Sequence, residues 1–550
     1  MIELKELTLT YAVESSAARF GRMTALQTWR KNDGLTYSQL LEQSVNVAFF
    51  LHSRGIGKGD RVAILGESCP NWGLSYLAIN RAGAVAVPIL PNFSAHEVSS
   101  ILEHSGARLV VVNAANASKV CGSDVRVIRM EDMTAVPAEA CADRAAFKCV
   151  TGTDTRAVIP SESDRASLAL VRPSEDDTAS IIYTSGTTGT PKAVMLTNRN
   201  IVWNAWVCST PFIKIHPGWD ALSILPMSHV YEFTIGFVLL LINGVCITYL
   251  GKAPSTDTLM PAMREVRPQV MLSVPLLIEK IYRRALLPKL KEGTRLGKLA
   301  KNRFTAPIVY RIIGSKVRKT FGGRIRFFGV GGAAFDSEAE SFFHRIHFPY
   351  ALGYGLTETA PFIAGCGPAD QVPGTLGPVL EGLEVKLDPE NSEVLVKGPS
   401  VMKGYYRNEE LTREVFTQDG YFRTGDIGEF KDGRLAIRGR SKTMILGPSG
   451  ENIYPENIEF LINSEEDVIE SLVVADQGGL TAMIRLDMKS LKKKGIVAIE
   501  AIQSKLDSIM KGVNAKLSSF SRIRKVEIRE LPFERTPTDK IKRFLYQKKA

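Results

Sequence analysis

An apolar, β-branched run over residues 179–182 empties into Tyr183-Thr184-Ser185-Gly186-Thr187-Thr188-Gly189-Thr190-Pro191-Lys192. Such a run, bounded by turn residues, predicts a buried strand that ends in a hydroxyl- and glycine-rich loop. The hydroxyls and backbone N–H groups of a loop of this kind can surround phosphate oxygens, and Lys192 adds positive charge. Gly186 and Gly189 let the backbone come close to an anion, because no Cβ intervenes. Ala193 follows the lysine, so this is not the GxxxxGK[ST] loop.

Strands and helices alternate around this stretch. Residues 61–65, 84–90 and 109–112 read as strands. Pro70 opens a helix over 70–81 that Gly83 closes. Thr36 with Gln39, and Ser94 with Glu97, read as capping boxes that start two more helices. After the loop come a helix from Asn198, a strand at 222–225, a helix from Tyr231, strands at 245–249 and 270–274, a helix from Pro275, and strands at 325–330 and 349–353. The alternation predicts an α/β fold on largely parallel sheets. Residues 131–178 are weakly patterned and read as a surface connection. Residues 374–430 change to short alternating strands, which predicts a small β subdomain. Residues 440–550 read as a compact α+β domain.

Two further motifs can carry chemistry. In Gly353-Tyr354-Gly355-Leu356-Thr357-Glu358 the flanking glycines leave the Tyr354 ring open for stacking on a flat base. Thr357 offers a hydroxyl to a phosphate oxygen, and Glu358 supplies the hard oxygen that Mg²⁺ prefers. In Tyr421-Phe422-Arg423-Thr424-Gly425-Asp426, Asp426 follows a Thr-Gly turn and can accept both hydroxyls of a ribose.

In this order the motifs resemble the adenylate-forming (AMP-binding) superfamily: acyl-CoA synthetases, aryl-CoA ligases, firefly-type luciferases and peptide-synthetase adenylation domains. The resemblance spans nearly the whole chain. It implies an N-terminal domain over 1–439, with its β subdomain at about 374–439, and a small mobile C-terminal domain over 440–550 that carries a catalytic lysine. It also implies that Thr184, Ser185, Gly186, Thr187, Thr188 and Gly189, with Lys192, hold the β- and γ-phosphates of ATP. Gly332, Ala333, Tyr354 and Gly355 would bind adenine, Thr357 the α-phosphate, and Asp426 with Arg440 the ribose. Glu358 would hold Mg²⁺. Lys540 resembles the catalytic lysine, although Asp539 stands where the family usually has glycine. Lys442 falls on the hinge position, and Gly450 opens the loop that would line the path of coenzyme A. Asn452 in that loop is arginine in some relatives, so it is given no phosphate contact.

The acyl pocket implied by the resemblance draws on Trp203, Trp206, Met227, His229, Tyr231, Phe233, Ile235, Gly236 and Phe237. His229 reads equally as a residue that starts a helix. The segment 531–538 and the basic stretch 280–326 look most like bacterial long-chain fatty acyl-CoA synthetases. The expected reaction is therefore fatty-acid activation by ATP followed by transfer to coenzyme A. The alternatives are loading of an acyl carrier protein and a non-catalytic lipid-binding scaffold.

A formal charge of +11 favours anionic partners. ATP and coenzyme A qualify. So does an anionic membrane, for which the stretch 280–326 is the candidate: its apolar and basic residues read either as solvated amphipathic helices or as a lipid-contacting patch. No arm or signature points to nucleic acid. A homodimer is an open option. Seven scattered cysteines without a CxxC pair suggest neither a disulfide framework nor zinc, and a reducing cytoplasm fits. His344 and His347 read as a surface pair on a helix rather than as ligands. The N-terminus lacks the layout of a signal peptide. The apolar window 233–250, broken by Asn243-Gly244, reads as a buried helix, a turn and a buried strand rather than a membrane span.

Overall fold

The computed structural model describes residues 3–184, 192–209, 214–252, 254–290, 294–333, 335–446, 452–476, 479–536 and 541–547. Two large sheets dominate. In the nine-stranded sheet, Val85–Ile89, Arg61–Leu65, Leu109–Val112 and Arg126–Arg129 run parallel. Thr178–Thr184 joins them in parallel, and Lys192–Thr197 turns back antiparallel beside it. The parallel strands are buried on both faces, which explains why they read as continuous apolar runs rather than alternating ones.

The eight-stranded sheet is parallel through Thr24–Thr28, Cys246–Tyr249, Asp220–Ser223, Val270–Ser273, Phe327–Val330 and Tyr350–Gly355. Phe362–Gly365 closes it antiparallel. A four-stranded antiparallel sheet follows: Glu384–Leu387, Glu393–Lys397, Phe422–Lys431 and Arg434–Arg440. A smaller α+β unit ends the chain, with Val468–Asp476, Gly479–Leu486 and Ile523–Ile528 in one sheet beneath the helices Pro455–Asn463 and Ile499–Asn514. The expected fold class is the observed one.

Local signals place the helices as the sequence predicts. Thr36 and Ser94 form their capping boxes, Pro70 starts Pro70–Arg81, and Gly106 ends Ala95–Ser105 in the left-handed region. The segment 131–178 departs from the expected surface connection. Thr134–Val136 and Thr153–Asp154 extend the nine-stranded sheet, and Met133, Cys141 and Phe147 are buried. Arg129 anchors it, donating to the carbonyls of Phe147 at 2.5 Å and Val150 at 3.0 Å. Strands this short carry too few alternations to register as a period-2 pattern. The window 233–250 folds as expected, with one addition: Glu232–Val238 is a π-helical turn that leads into Leu239–Ile242. Among the described residues no helix is long and apolar enough to cross a membrane.

That π turn brings a carboxyl into the core. Glu232 is 1% exposed, and its Oε1 accepts from Ser223 Oγ at 2.6 Å. Burial pushes its acid up to about 8, with the Ser223 hydrogen bond opposing. Glu340, also buried, is pushed up to about 7. The folded chain therefore binds protons that the unfolded chain has released, from the ordinary carboxylate range up to about 8. Their contribution is full at the acid side of that window and is lost as pH rises through it. Melting temperature should fall over this rise, and should fall less in Glu232→Gln/Glu340→Gln. A variant whose melting temperature drops as steeply as the parent's would contradict the assignment.

Candidate active site

The site gathers at the carboxyl ends of parallel strands in the eight-stranded sheet, where open α/β sheets bind ligands. Tyr350–Gly355 delivers Tyr354 and Gly355, and the short turn Thr357–Thr359 presents Thr357 and Glu358. Gly331, Gly332 and Ala333 follow Phe327–Val330 on the neighbouring strand. Gly332 has φ +86°, and a Cβ there would meet no atom within 4 Å, so the backbone faces open space. Gly355 is in the opposite situation. A Cβ there would lie 1.7 Å from the Pro361 carbonyl oxygen, so only glycine fits between this strand and Phe362–Gly365.

Asp426 is 3% exposed, and Tyr354 and Arg440 are among the groups that hold it. The Tyr354 hydroxyl donates to its Oδ2 at 2.7 Å, and Arg440 Nε lies 3.0 Å from its Oδ1. Strand pairing sets this geometry, since Asp426 stands opposite Arg440 in the four-stranded sheet. An ionised carboxylate only accepts, which matches the two hydroxyl donors of a ribose. Glu393, which sequence reasoning missed, fixes the turn before it: its Oε1 accepts from Gly425 N at 2.8 Å, and its Oε2 lies 3.1 Å from Arg423. Burial, with the Asp426 charge beside it, pushes the Tyr354 phenol well above its ordinary range.

A second cluster lies on the other side of Glu358. Tyr405 donates its hydroxyl to Glu358 Oε1 at 2.9 Å, and Lys192 Nζ lies 5.0 Å from the Tyr405 ring centre. Burial holds the Lys192 ammonium below the usual lysine range; Glu358 opposes that shift and Lys442 adds to it. Lys192, Glu358, Tyr405 and Lys442 thus share one electrostatic neighbourhood. Tyr405 was not among the sequence candidates. Its cue was the pair Gly404-Tyr405, whose short strand edges Lys192–Thr197.

The helix Asn198–Val207 holds these parts together. Buried Asn204 donates to the Phe362 carbonyl at 2.8 Å and accepts from Phe362 N at 3.2 Å. One turn earlier, Asn200 donates to the carbonyls of Pro399 at 2.7 Å and Val401 at 3.0 Å. Met402 N then donates to the Glu358 carbonyl at 2.8 Å. The lysine strand, the Glu358 turn and the Tyr405 segment are therefore locked to one another by satisfied buried amides.

Thr184 stands opposite Lys192, so the strand pair closes at the two ends of the loop. The loop joins antiparallel neighbours, unlike the strand-to-helix phosphate loop. Ser185, Gly186, Thr187, Thr188 and Gly189 lie outside the described residues, as do Gly450 and Lys540. The chain is described up to residue 536 and again from residue 541. Arg535 bridges to Ile541 and pairs with Glu470 at 2.5 Å, and Arg543 pairs with Glu459. Lys442 sits in the turn Ser441–Thr443. In this arrangement the helix Pro455–Asn463 rests against the strand bearing Arg440, with Asn457 donating to the Arg438 carbonyl at 3.2 Å.

The acyl-pocket candidates separate into two groups. The Tyr231 ring lies across Gly329 and Gly331, 6.0 Å from the Phe362 ring, and forms a wall beside the glycine strip. Phe233 and Phe237 instead pack into the core: Phe233 meets Tyr76 and Phe237 meets Gly73. Gly236 backs onto the Glu232 carboxyl, Trp203 lies under Gly382, and Met227 and Ile235 are buried. His229 is half-buried at the helix start, with Nδ1 accepting from Tyr231 N at 3.3 Å. His344 lies in the last turn of the helix Ser337–Arg345, whereas His347 lies beyond it at φ 52°; both are exposed. The expected pair on one helix is thus corrected by the end of the helix at Arg345.

Among the described residues no cluster of three or more His, Cys, Asp or Glu side chains could hold a metal ion alone. Glu358 fits the other arrangement, in which Mg²⁺ takes one or two carboxylates and completes its shell with phosphate and water.

A family model described as "AMP-binding enzyme" matches residues 13–406. The chain is 29% identical to the long-chain-fatty-acid–CoA ligase FadD15 of Mycobacterium bovis, over 92% of this chain and 90% of the relative. The O-succinylbenzoate coenzyme A synthetase of Bacillus subtilis in complex with AMP has a similar fold, with TM-score 0.74 and 21% identity over 97% of both chains. A Mycobacterium tuberculosis fatty acyl CoA synthetase superposes with TM-score 0.64 and 23% identity, covering 99% of this chain and 98% of that one.

Proposed function

The chain belongs to the AMP-binding enzyme family, as an AMP-forming acid–thiol ligase, and from that premise we propose that it activates a medium- or long-chain fatty acid with ATP and passes the acyl group to coenzyme A. The observation that carries the nucleotide half is the Tyr354–Asp426–Arg440 constellation beside the open glycine strip. Support for the fatty acid comes from likeness to long-chain ligases over most of their length.

A carboxylate is a poor electrophile because its oxygen leaves badly. In the first half-reaction a carboxylate oxygen attacks the α-phosphorus, the bond to the β-phosphate bridge oxygen breaks, and pyrophosphate leaves with the electron pair. In the second, the thiol sulfur attacks the acyl carbon, its proton passes to solvent, and AMP departs. Two anions meet in the first step, so the residues act mainly by charge neutralisation and alignment.

Tyr354 stacks on adenine along Gly332 and Ala333, and Asp426 with Arg440 takes the ribose. Thr357 binds the α-phosphate, while Lys192 and the hydroxyls of 184–190 take the outer phosphates. Glu358 would hold Mg²⁺, which would supply positive charge against the phosphates. Lys540 bridges the attacking carboxylate and the α-phosphate. Residues 440–550 then turn about Lys442, withdraw Lys540 and bring the Gly450 loop to the thiol path, a hinge change. The Tyr231 wall receives the first carbons of the acyl chain.

The test is acid-dependent exchange of labelled pyrophosphate into ATP over a panel of fatty-acid chain lengths, with O-succinylbenzoate as the aromatic comparison. Thiol transfer is then followed to coenzyme A and to an acyl carrier protein. Exchange that rises with medium or long chains, with transfer to coenzyme A, is expected. Exchange with the aromatic acid alone, or transfer only to the carrier protein, would replace the reading.

A further inference from the structure

The helix Ala306–Thr320 borders an open groove of about 1240 Å³ whose lining includes Arg267, Arg303, Arg311, Arg318, Lys319 and Arg345, and no acidic residue. All six side chains are exposed. Among the described residues no carboxylate forms an ion pair with Arg303, Arg311, Lys319 or Arg345. Six like charges around one depression repel one another; Arg267 and Arg318 are steadied by the Gly322 and His347 carbonyls, and no carboxylate lines the groove.

The groove is separate from the active site. It is lined at Arg267, Gly322, Gly323, Ile346 and His347, just ahead of the strands Val270–Ser273, Phe327–Val330 and Tyr350–Gly355. Those strands are parallel, so their starts share one edge of the sheet, while Gly332, Tyr354 and Glu358 follow their opposite ends.

A row of exposed apolar side chains runs beside the charges. Phe304 is 85% exposed, Ile308 62% and Ile312 50%. A spacing of four puts Ile308 and Ile312 in one line on the helix, next to the line of Pro307, Arg311, Ser315 and Arg318 that faces the groove. Val309, Ile313 and Val317 occupy the buried face, so the apolar row is surplus to the core.

We propose that this face docks on the surface of an anionic lipid bilayer. The basic side chains meet phosphate headgroups, and Phe304, Ile308 and Ile312 enter the boundary between headgroups and acyl chains. Both parts of the face are then used. A nucleic-acid backbone would satisfy the charges and leave the apolar row in water. The inference is independent of which acid the enzyme activates, because no residue of the face belongs to the active site.

The experiment is flotation of the full chain with phosphatidylcholine vesicles and with vesicles that also contain phosphatidylglycerol, at low and high salt. Co-flotation only with the anionic vesicles, weakened by salt, is expected. Each basic residue near such a surface raises partitioning by about fivefold. The triple variant Arg303→Gln/Arg311→Gln/Arg345→Gln should therefore partition roughly a hundredfold less. Phe304→Ser/Ile308→Ser should partition less at every salt concentration. Unchanged melting temperatures for both variants keep the effect on the surface. Equal flotation with neutral vesicles, no flotation with anionic ones, or an unaffected apolar variant would overturn the proposal. So would an RNA oligonucleotide bound by the parent chain, and lost in the triple variant, when vesicles are not bound.

Discussion

Alanine in place of Lys540 is expected to lower adenylate formation by about a hundred- to a thousandfold, the usual loss when one preorganised donor is removed from a developing anion. Thioester formation from supplied acyl-adenylate should stay near the parent rate. The asymmetry follows from the charges in each half-reaction. Adenylation brings a carboxylate against a polyphosphate, and an ammonium between them offsets the repulsion. In the second half the acyl–phosphate bond already exists, and a neutral thiol is the incoming group. The fold supplies the support this role needs. Phe533 is 3% exposed, Arg535 is tied to Glu470 and to Ile541, and Arg543 is tied to Glu459, so the described residues up to 536 and from 541 are fixed to the small α+β unit. The two half-reactions are measured separately, by pyrophosphate exchange and by coenzyme A consumption with synthetic acyl-adenylate. Equal loss in both would contradict the assignment.

Gly355→Ala should have a comparable effect through geometry alone. The new methyl group would sit 1.7 Å from the Pro361 carbonyl oxygen and 3.0 Å from Phe362 Cα. Both obstacles are backbone, and the Pro361 carbonyl already accepts from Leu356 N at 3.1 Å. One strand must therefore shift by an ångström or more. Tyr354 lies immediately before the shift, and Thr357 and Glu358 lie just after it. Displacing aligned groups by about 1 Å costs roughly a hundredfold in rate, and overpacking costs about 1–3 kcal/mol in stability. The measurements are kcat/KM for adenylation and the melting temperature. Activity within a few-fold of the parent would show that residues 353–358 do not align the substrate.

Much of this site was legible in the sequence because its chemistry sits in contiguous runs. Gly353 to Glu358 and Thr424 to Asp426 each state a turn and a functional group together. The helices were legible for a similar reason, since capping by Thr36, Ser94 and Pro70 is local. The missed residues act across the chain. Tyr405 reaches Glu358, Glu393 reaches Gly425, and Asn204 reaches Phe362, partners that no spacing rule connects. Glu232 was hidden differently. Its neighbours are apolar, and only the π turn at Glu232–Val238 shows that its carboxyl points into the core. The segment 131–178 was underread because its buried residues, such as Phe147 and Cys141, occur singly and not in a period. Phe233 and Phe237 carry the reverse lesson, for an aromatic residue near a pocket motif can serve the packing of Pro70–Arg81 instead.

If residues distant in the chain meet on one nucleotide, a crystal structure with a non-hydrolysable acyl-sulfamoyl adenosine will show them around it. The predicted result has adenine against Tyr354 and the Gly332 strip, both ribose hydroxyls on Asp426, and the sulfamoyl group between Thr357 and Lys540. Adenosine bound elsewhere, or bound there with neither ribose hydroxyl on Asp426, would overturn this reading.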